Sequence, residues 1–319
     1  MRRPQRLLIG SCLGLTGHYL SKIFREKEDI VLIGIDRSAA TGVAECFDHV
    51  EQAPDASSEE QFIECLVNLI NDKDINFYLP THSVETQVVA RHRQTIEART
   101  DIKLILSPCQ TYEELDNKVV ANGCLSRLGL NVPRLIDPTG DMSFPIIAKP
   151  PVGSGSKETL LIEDETDLEY ALAKLPSSIF LEYIDGKEFT VDAIFDHEGE
   201  LVTYNQRERI KTLGGAVVVT KNNFEDYDCI EDLKTISKHH KLCGVVNFQF
   251  ILKNEKAYFI DVNLRYASGG LALSVASGLD VAKVLLKLLR NEEFDRNAYQ
   301  SDRMPRTMHR VFDEIFVLQ

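Results

Sequence analysis

Short apolar runs and amphipathic stretches alternate along the first third of the chain. The apolar runs are rich in β-branched residues and predict strands at 6–10, 30–36, 76–80 and 103–107. Between them, apolar residues recur at helical spacing and predict helices at 17–26, 59–71 and 84–97. This alternation is typical of βαβ units around a mainly parallel sheet, with functional loops at the carboxyl ends of the strands. Residues 1–107 are therefore predicted to form a Rossmann-like α/β domain.

The rest of the chain mixes strands and helices in the manner of an α+β domain. Its patterns predict strands at 144–149, 159–163, 178–183, 188–195, 201–207, 216–220 and 307–317. They predict helices at 111–128, 165–175 and 272–290. Two further apolar runs, at 244–251 and leading into 261–265, flank the polar residues 253–256 and predict a β-hairpin.

The second arm of this hairpin ends in a carboxylate, an amide and a guanidinium at alternate positions. Asp261, Asn263 and Arg265 share one face if the segment is extended, and can therefore meet one anionic ligand. Gln249 interrupts the apolar sequence of the first arm and adds another oxygen ligand. The hairpin is therefore a candidate metal and phosphate site.

A loop rich in glycine and serine, residues 150–157, follows the predicted strand that ends at Lys149. Glycines allow close approach of the backbone, and consecutive N–H groups can form an anion nest. The loop therefore suits phosphate, although a hairpin tip is the alternative. Lys149 favours phosphate because a partly buried ammonium needs an anionic partner.

A strand that runs into a short linker at 180–188 offers alternating backbone donors and acceptors. These groups can copy the hydrogen-bonding edge of adenine, while Glu182 and Glu188 accept from an amino group and from ribose hydroxyls. A plain turn with solvated acids is the alternative. Before a glycine turn lies a basic cluster formed by Arg207, Arg209 and Lys211. The cluster is a candidate for binding the substrate carboxylate or a phosphate, and a solvated edge strand is the alternative.

Composition excludes several classes of partner. The 36 basic and 49 acidic residues give a formal charge of −13, without a long basic run, so nucleic acid and anionic membranes are not expected as partners. Seven cysteines without a CxxC pair indicate reduced thiols and a cytoplasmic protein.

Glycines at positions 10, 14 and 17, followed by Asp36, resemble a dinucleotide-binding fingerprint with one extra residue. An NAD-linked oxidoreductase is therefore an alternative. A tight turn from strand to helix requires glycines with or without a cofactor, and the spacing of the fingerprint is wrong.

The order and spacing of these segments resemble the ATP-grasp superfamily over nearly the whole chain, most closely its branch of carbamoyl-phosphate-synthase-like and pyrrolysine-biosynthesis-ligase-like enzymes. The resemblance is carried by Lys118, Lys149, the loop at 153–156, and segments 181–192, 247–250 and 261–265. It implies a Rossmann-like preATP-grasp domain at 1–107, followed by an ATP-grasp domain at 108–319 with a small lid subdomain at about 140–184.

The resemblance also implies a role for each matching residue. Those implied to bind ATP are Lys118, Lys149, Gly153, Ser154, Gly155, Ser156, Glu182, Tyr183, Ile184 and Glu188. The implied ligands of Mg²⁺, with Mn²⁺ as an alternative, are Gln249, Asp261 and Asn263. The resemblance implies that Arg265 stabilises the transferred phosphoryl group, and it favours a functional role for Arg209 and Lys211 in binding the substrate carboxylate or a phosphate. The family usually has Glu at the position of Asp261, so one metal ion or two remain open alternatives.

The implied reaction activates a small carboxylic acid, for example an amino acid, as an acyl phosphate that an amine then attacks, releasing ADP and phosphate. Alternatives are a kinase half-reaction of the carbamoyl-phosphate type and an ATP-binding module without turnover. The expected partners are small-molecule carboxylate and amine substrates, and a homodimer is compatible with the sequence.

Overall fold

The computed structural model describes residues 4–27, 30–38, 42–153, 158–267, 269–293 and 295–311. Within these residues the strands form three sheets. The first sheet has the order β3-β2-β1-β4-β5, and all of its pairs are parallel. Its strands are β1 (Gln5–Gly10), β2 (Ile30–Asp36), β3 (His49–Gln52), β4 (Phe77–Leu79) and β5 (Lys103–Leu104).

Helices connect and cover this parallel sheet, which confirms the predicted Rossmann-like α/β arrangement. They are α1 (Leu15–Arg25), α2 (Glu59–Asp72), α3 (Ser83–Arg91) and α4 (Arg93–Arg99). The prediction of one helix at 84–97 is wrong, because the chain leaves helical geometry at His92. The short strand β3 was not predicted, since its half-exposed sequence has no clear apolar period.

Two short helices, α5 (Cys109–Leu115) and α6 (Lys118–Arg127), replace the single helix predicted at 111–128. The Asn117 side chain accepts hydrogen bonds from the backbone N–H groups of Val119 and Val120 and so caps α6. Asparagine favours this position over a helix interior because its side chain competes for backbone groups. Lys118 consequently begins a helix.

A small four-stranded sheet has the order β6-β9-β7-β8 and is covered by one helix. Its elements are β6 (Leu135–Ile136), β7 (Ile146–Lys149), β8 (Leu160–Ile162), α7 (Glu165–Lys174) and β9 (Ile179–Glu182). Ile146, Ala148 and Phe180 pack together in its core. This sheet lies where the lid subdomain was predicted, and the predicted boundaries themselves stay a prediction.

The largest sheet has six strands in the order β14-β13-β10-β11-β12-β15, and all of its pairs are antiparallel. Its strands are β10 (Lys187–Phe195), β11 (Leu201–Leu213), β12 (Ala216–Asn222), β13 (Gly244–Lys253), β14 (Lys256–Asn263) and β15 (Thr307–His309). Phe189, Val191 and Phe248 lie on its apolar face and pack with Leu233 of α8 (Ile230–His240).

Two predictions near the end of the chain need correction. The helix predicted at 272–290 is broken into α9 (Leu271–Ala276) and α10 (Val281–Leu289), because Gly278 adopts a φ of +95°. The strand predicted at 307–317 begins as expected with β15, and its residues 312–317 lie outside the described part of the chain.

The two predicted domains share a hydrophobic core. Leu20 and Phe24 of α1 belong to the same buried cluster as Leu285 and Leu288 of α10. All seven cysteines lie in the described part of the chain and form no disulfide. Among the described residues, no helix combines the length and apolar character needed to span a bilayer.

Candidate active site

A cavity of about 490 Å³ lies between the small sheet and the polar face of the six-stranded sheet. Its wall contains most of the residues that the sequence singled out. These are Lys118, Lys149, Gly153, Glu182, Tyr183, Ile184, Glu188, Arg209, Gln249, Asp261, Asn263 and Arg265. Ser154, Gly155 and Ser156 lie outside the described residues. Tertiary structure thus gathers residues spread over about half of the chain.

The linker between β9 and β10 forms one end of this cavity. Glu182 is the last residue of β9, and its backbone N–H donates to the Arg134 carbonyl at 2.9 Å. Ile184 is buried, whereas Tyr183 is exposed. Pro133 and Leu181 contribute apolar wall beside the linker. This end therefore combines backbone polar groups with the apolar surface that a planar base requires.

Two lysines converge on β14 from different elements. Lys118 Nζ donates to the Gly153 carbonyl at 2.9 Å and lies 3.7 Å from Asp261 Oδ1. Lys149 Nζ donates to the Ile260 carbonyl at 3.1 Å. Burial lowers the pKa of Lys149 to about 8, and Asp261 partly opposes this effect while Lys118 reinforces it. The two cations are thus held where an anion would reduce their mutual repulsion.

A β-bulge in β14 directs its polar residues into the cavity. Gln249 pairs with Asp261 across the ladder but Phe250 pairs with Phe259, so Ile260 is an extra residue. Strict alternation would place Asp261 on the same face as the buried Phe259. The bulge reverses the alternation, which is why both Ile260 and Asp261 line the cavity.

Asp261, Asn263 and Arg265 form a connected row. Asn263 Nδ2 donates to Asp261 Oδ2 and Arg265 Nη2 donates to Asn263 Oδ1, each at 3.1 Å. A tight turn follows β14, with the Arg265 N–H donating to the Asn263 carbonyl at 2.8 Å. Arg265 Nε donates to Ser83 Oγ of the first domain at 2.6 Å. Burial lowers the pKa of Arg265, while Asp261 and Asp116 oppose that effect.

The oxygen-bearing residues of this row suit a nucleotide-bound Mg²⁺. Gln249, Asp261 and Asn263 supply one carboxylate and two amides on one wall. In the described part of the chain, no three His, Cys, Asp or Glu side chains cluster as a metal cage. Mg²⁺ usually binds one or two carboxylates and completes its shell with water and substrate phosphates. The donor set therefore fits this ion when a phosphate ligand is present.

A second bulge, on β11, separates Arg209 from Lys211 of the basic cluster. Arg209 Nε lies 3.0 Å from Glu188 Oε1, and burial lowers the pKa of Arg209. The ladder register shifts between Arg209 and Lys211, and Lys211 is exposed and off the cavity wall. Arg207 is buried instead, lines the cavity and pairs with Asp192.

Sequence reasoning left Thr190 and Asn247 out of the candidate set and named Arg207 only as part of the basic cluster, although all three line the cavity. A usable signal existed, because Glu188, Thr190 and Asp192 alternate with apolar residues along one strand. Such a pattern predicts a polar face on β10.

The glycines after β1 have packing reasons of their own. A Cβ at Gly10 would lie 1.6 Å from Glu85 Oε1, and one at Gly17 would lie 2.4 Å from the Cys12 carbonyl. The Asp36 carboxylate accepts a hydrogen bond from the Leu13 N–H at 3.0 Å. These contacts account for Gly10, Gly17 and Asp36 of the fingerprint-like pattern without a dinucleotide.

Comparison with known proteins gives a consistent family. Residues 174–310 match a family model described as ATP-grasp in the biosynthetic pathway with Ter operon. The carbamoyl phosphate synthase large chain of Thermoanaerobacter sp. (strain X514) is 25% identical over 183 residues, which cover 53% of this chain and 17% of that protein. This chain thus spans about one sixth of that relative's length.

Solved structures show the same fold at low identity. The biotin carboxylase domain of 2-oxoglutarate carboxylase from Hydrogenobacter thermophilus, in complex with ADP, its magnesium salt and bicarbonate, has a TM-score of 0.73 at 14% identity, covering 95% of this chain and 73% of that one. An L-amino acid ligase from Bacillus licheniformis has a TM-score of 0.71 at 16% identity, covering 91% and 75%. The chain therefore contains a domain of the ATP-grasp family and is homologous to the large chain of carbamoyl phosphate synthase.

Proposed function

We propose that this protein is an ATP- and Mg²⁺-dependent ligase that activates a small carboxylic acid as an acyl phosphate for attack by an amine. The observation that supports this most directly is the continuity of the cavity. A single wall joins the linker at Glu182, the two lysines, Asp261 and Arg265. The L-amino acid ligase from Bacillus licheniformis has the same fold, and we therefore favour an amine as the acceptor in this proposal.

The pairing of β10 with its neighbours places the polar residues of the sheet in successive cross-strand rows, or levels. Glu188 lies nearest the linker, Thr190 follows in register with Gln249, and Asp192 follows in register with Asn247. Gln249 and Asn247 pair in turn with Asp261 and Asn263. Same-face residues are about 7 Å apart along a strand, so the levels follow a nucleotide from ribose to γ-phosphate.

In this proposal Lys118 and Lys149 bind the phosphates, and Arg265 stabilises negative charge on the transferred phosphoryl group. Gln249, Asp261 and Asn263 would hold Mg²⁺, which supplies further charge neutralisation. A carboxylate oxygen attacks the γ-phosphorus, and the bond to the β–γ bridging oxygen breaks to release ADP. The amine nitrogen then attacks the acyl carbon, phosphate leaves and the nitrogen loses a proton.

The decisive experiment measures ADP release over a panel of amino acids and small carboxylates, with hydroxylamine as the trapping nucleophile. We expect an acid-dependent burst of ADP together with hydroxamate. Lys149→Met should lower the rate about 100-fold or more, because a buried charge that faces the phosphates is lost. Lys238→Met, on the exposed side of α8, is the matched control and should leave the rate unchanged.

Stabilisation by Mg-ATP without ADP or hydroxamate from any acid would contradict the ligase assignment and indicate a binding module without turnover. Bicarbonate is the second candidate acid, because the carboxylase structure contains it and the homologous relative is a carbamoyl phosphate synthase. Release of ADP with bicarbonate alone, and with no other acid, would favour this second activity.

A further inference from the structure

Three buried polar atoms on the cavity wall have no hydrogen-bond partner among the described residues: Arg207 Nη1, Thr190 Oγ1 and Arg209 Nε. Arg209 Nε lies 3.0 Å from Glu188 Oε1 in an ion pair, whereas the described part of the chain offers no charged or polar partner to Arg207 Nη1 and Thr190 Oγ1. The Arg207 side chain is 2% exposed and Thr190 is 1% exposed. Buried polar groups are almost always hydrogen-bonded, since burial without a partner costs free energy. Two such groups on one cavity wall therefore indicate a ligand that completes them.

The two residues are direct neighbours. Thr190 of β10 lies opposite Arg207 of β11 in the antiparallel ladder. Side chains at opposite positions share a face, with Cβ atoms about 5 Å apart. Their free hydroxyl and N–H groups can therefore donate to the two oxygens of one carboxylate.

The remaining contacts of Arg207 hold its guanidinium in place. Arg207 Nε donates to Asp192 Oδ2 at 3.1 Å. Asp192 is itself fixed by donors from Asn247 at 2.9 Å and Ser274 at 2.6 Å. A Cβ at Gly270 would lie 1.9 Å from Arg207 Cζ, so a glycine there leaves room for the guanidinium. The unpartnered edge is thus positioned before any ligand arrives.

The surroundings of this edge favour an anion. Asp192 balances the charge of Arg207, but Arg310 lies nearby and donates to the Gly269 carbonyl at 2.9 Å. Burial lowers the pKa of Arg310, and the charge of Arg207 lowers it further. A carboxylate bound at this edge would lie near both guanidinium groups.

Arg207 lies away from the phosphoryl end of the cavity, and Thr190 stands between Arg207 and Gln249. Asp261, Gln249, Thr190 and Arg207 occupy successive strands in register, so three strand spacings separate Asp261 from Arg207. Three spacings amount to about 14 Å between Cα atoms. One small carboxylate cannot react beside Asp261 and also bind Arg207.

We propose that Arg207 Nη1 and Thr190 Oγ1 bind a second carboxylate of the acid substrate, which is therefore a dicarboxylic acid activated at its other end. This inference rests on the proposed ligase function. It assigns Arg207 and Thr190 as residues that select the acid, whereas Arg265 acts on the reacting end.

The test measures thermal unfolding of the full chain with Mg²⁺ and a non-hydrolysable ATP analogue. The probes are succinate, glutarate and adipate, each compared with its monoamide. We expect at least one dicarboxylate to raise Tm more than its monoamide does. Thr190→Val and Arg207→Lys should weaken that dicarboxylate's binding about ten- to hundredfold, the usual effect of losing a hydrogen bond to a charged group.

Thr190→Val is the decisive variant because the hydroxyl that it removes has no partner in the free protein. Its Tm without ligand should match or exceed that of the wild type, so a loss of carboxylate binding cannot be attributed to misfolding. Thr212→Val, at an exposed position of β11, is the matched control and should bind the dicarboxylate normally.

The outcomes separate this inference from the proposed function. If the nucleotide stabilises both proteins but no dicarboxylate distinguishes wild type from Thr190→Val, the carboxylate subsite is wrong and the ATP site stands. If wild type and Thr190→Val instead differ in their stabilisation by free amino acids relative to the amides, or by inorganic phosphate, the assignment to the acid substrate is overturned. If the nucleotide stabilises no variant, the proposed function fails and this inference fails with it.

Discussion

Burial decides the chemistry of individual residues in this cavity, and Lys149 shows it most clearly. Its position at the end of an apolar strand indicates partial burial, but only the fold shows Lys118 and Asp261 beside it. Desolvation outweighs the attraction to Asp261, so the pKa falls to about 8. Lys149 is therefore a cation at neutral pH that loses its proton within an accessible range.

Binding of Mg-ATP should consequently depend on pH above 8. The phosphates favour the charged form, so the free protein must take up a proton to bind once Lys149 has deprotonated. Affinity should fall by up to about tenfold for each pH unit above the pKa. Lys149→Arg stays charged and should flatten this dependence in titrations from pH 7 to 9.5. Equal slopes for wild type and variant would exclude Lys149 as the titrating group.

Element ends and irregularities position the functional side chains. The bulge at Ile260 turns Asp261 toward the cavity, and the shift after Arg209 leaves Lys211 in solvent. Asn117 acts in a similar way, because it caps α6 and the helix then begins at Lys118. The cap therefore sets the backbone position from which the Lys118 side chain reaches the cavity. These features each occupy one or two residues and determine which side chains enter the cavity.

Removing the cap of α6 should weaken both stability and nucleotide binding. Asn117→Ala should lower the free energy of unfolding by about 1 kcal/mol, since two backbone N–H groups lose their acceptor. Urea denaturation measures the loss, and titration with Mg-ATP should show reduced affinity because Lys118 is less firmly held. Asn117→Ser keeps a capping oxygen and is the control. A similar loss in both variants would show that the cap is not the cause.

At the scale of the whole molecule, the first domain supports a cavity residue through a hydrogen bond, although none of the described wall residues belongs to it. Ser83, at the first turn of α3, accepts a hydrogen bond from Arg265, which lies 182 positions further along the chain. The core shared by α1 and α10 keeps these two regions together. The position of Arg265 therefore depends on packing between the two predicted domains.

Loss of the Ser83 hydroxyl should impair turnover more than ATP binding. Ser83→Ala leaves Arg265 Nε without its acceptor, at a cost of about 1–3 kcal/mol, so the guanidinium is less well placed for phosphoryl transfer. Steady-state kinetics should show kcat reduced at least about tenfold with a smaller change in KM for ATP. Ser83→Thr retains a hydroxyl as control. A raised KM with unchanged kcat would place Arg265 in ATP binding instead.

The sequence by itself determined the local features of this protein. Alternating apolar runs and helical stretches predicted the parallel sheet, and the polar positions at 261, 263 and 265 predicted a common face that the cavity confirms. The order of lysines, linker and metal-type residues predicted the ATP-grasp family. Such features depend on residue spacing along the backbone, which covalent geometry sets.

Only the tertiary structure decided which cations face the cavity and which polar groups lack partners. Arg207 rather than Lys211 lines the wall, Thr190 lies opposite it, and Ser83 meets Arg265 from a distant part of the chain. Bulges change the face of a side chain without a clear mark in the sequence. Cross-strand register and packing between distant elements arise from the whole fold, so local periodicity cannot specify them.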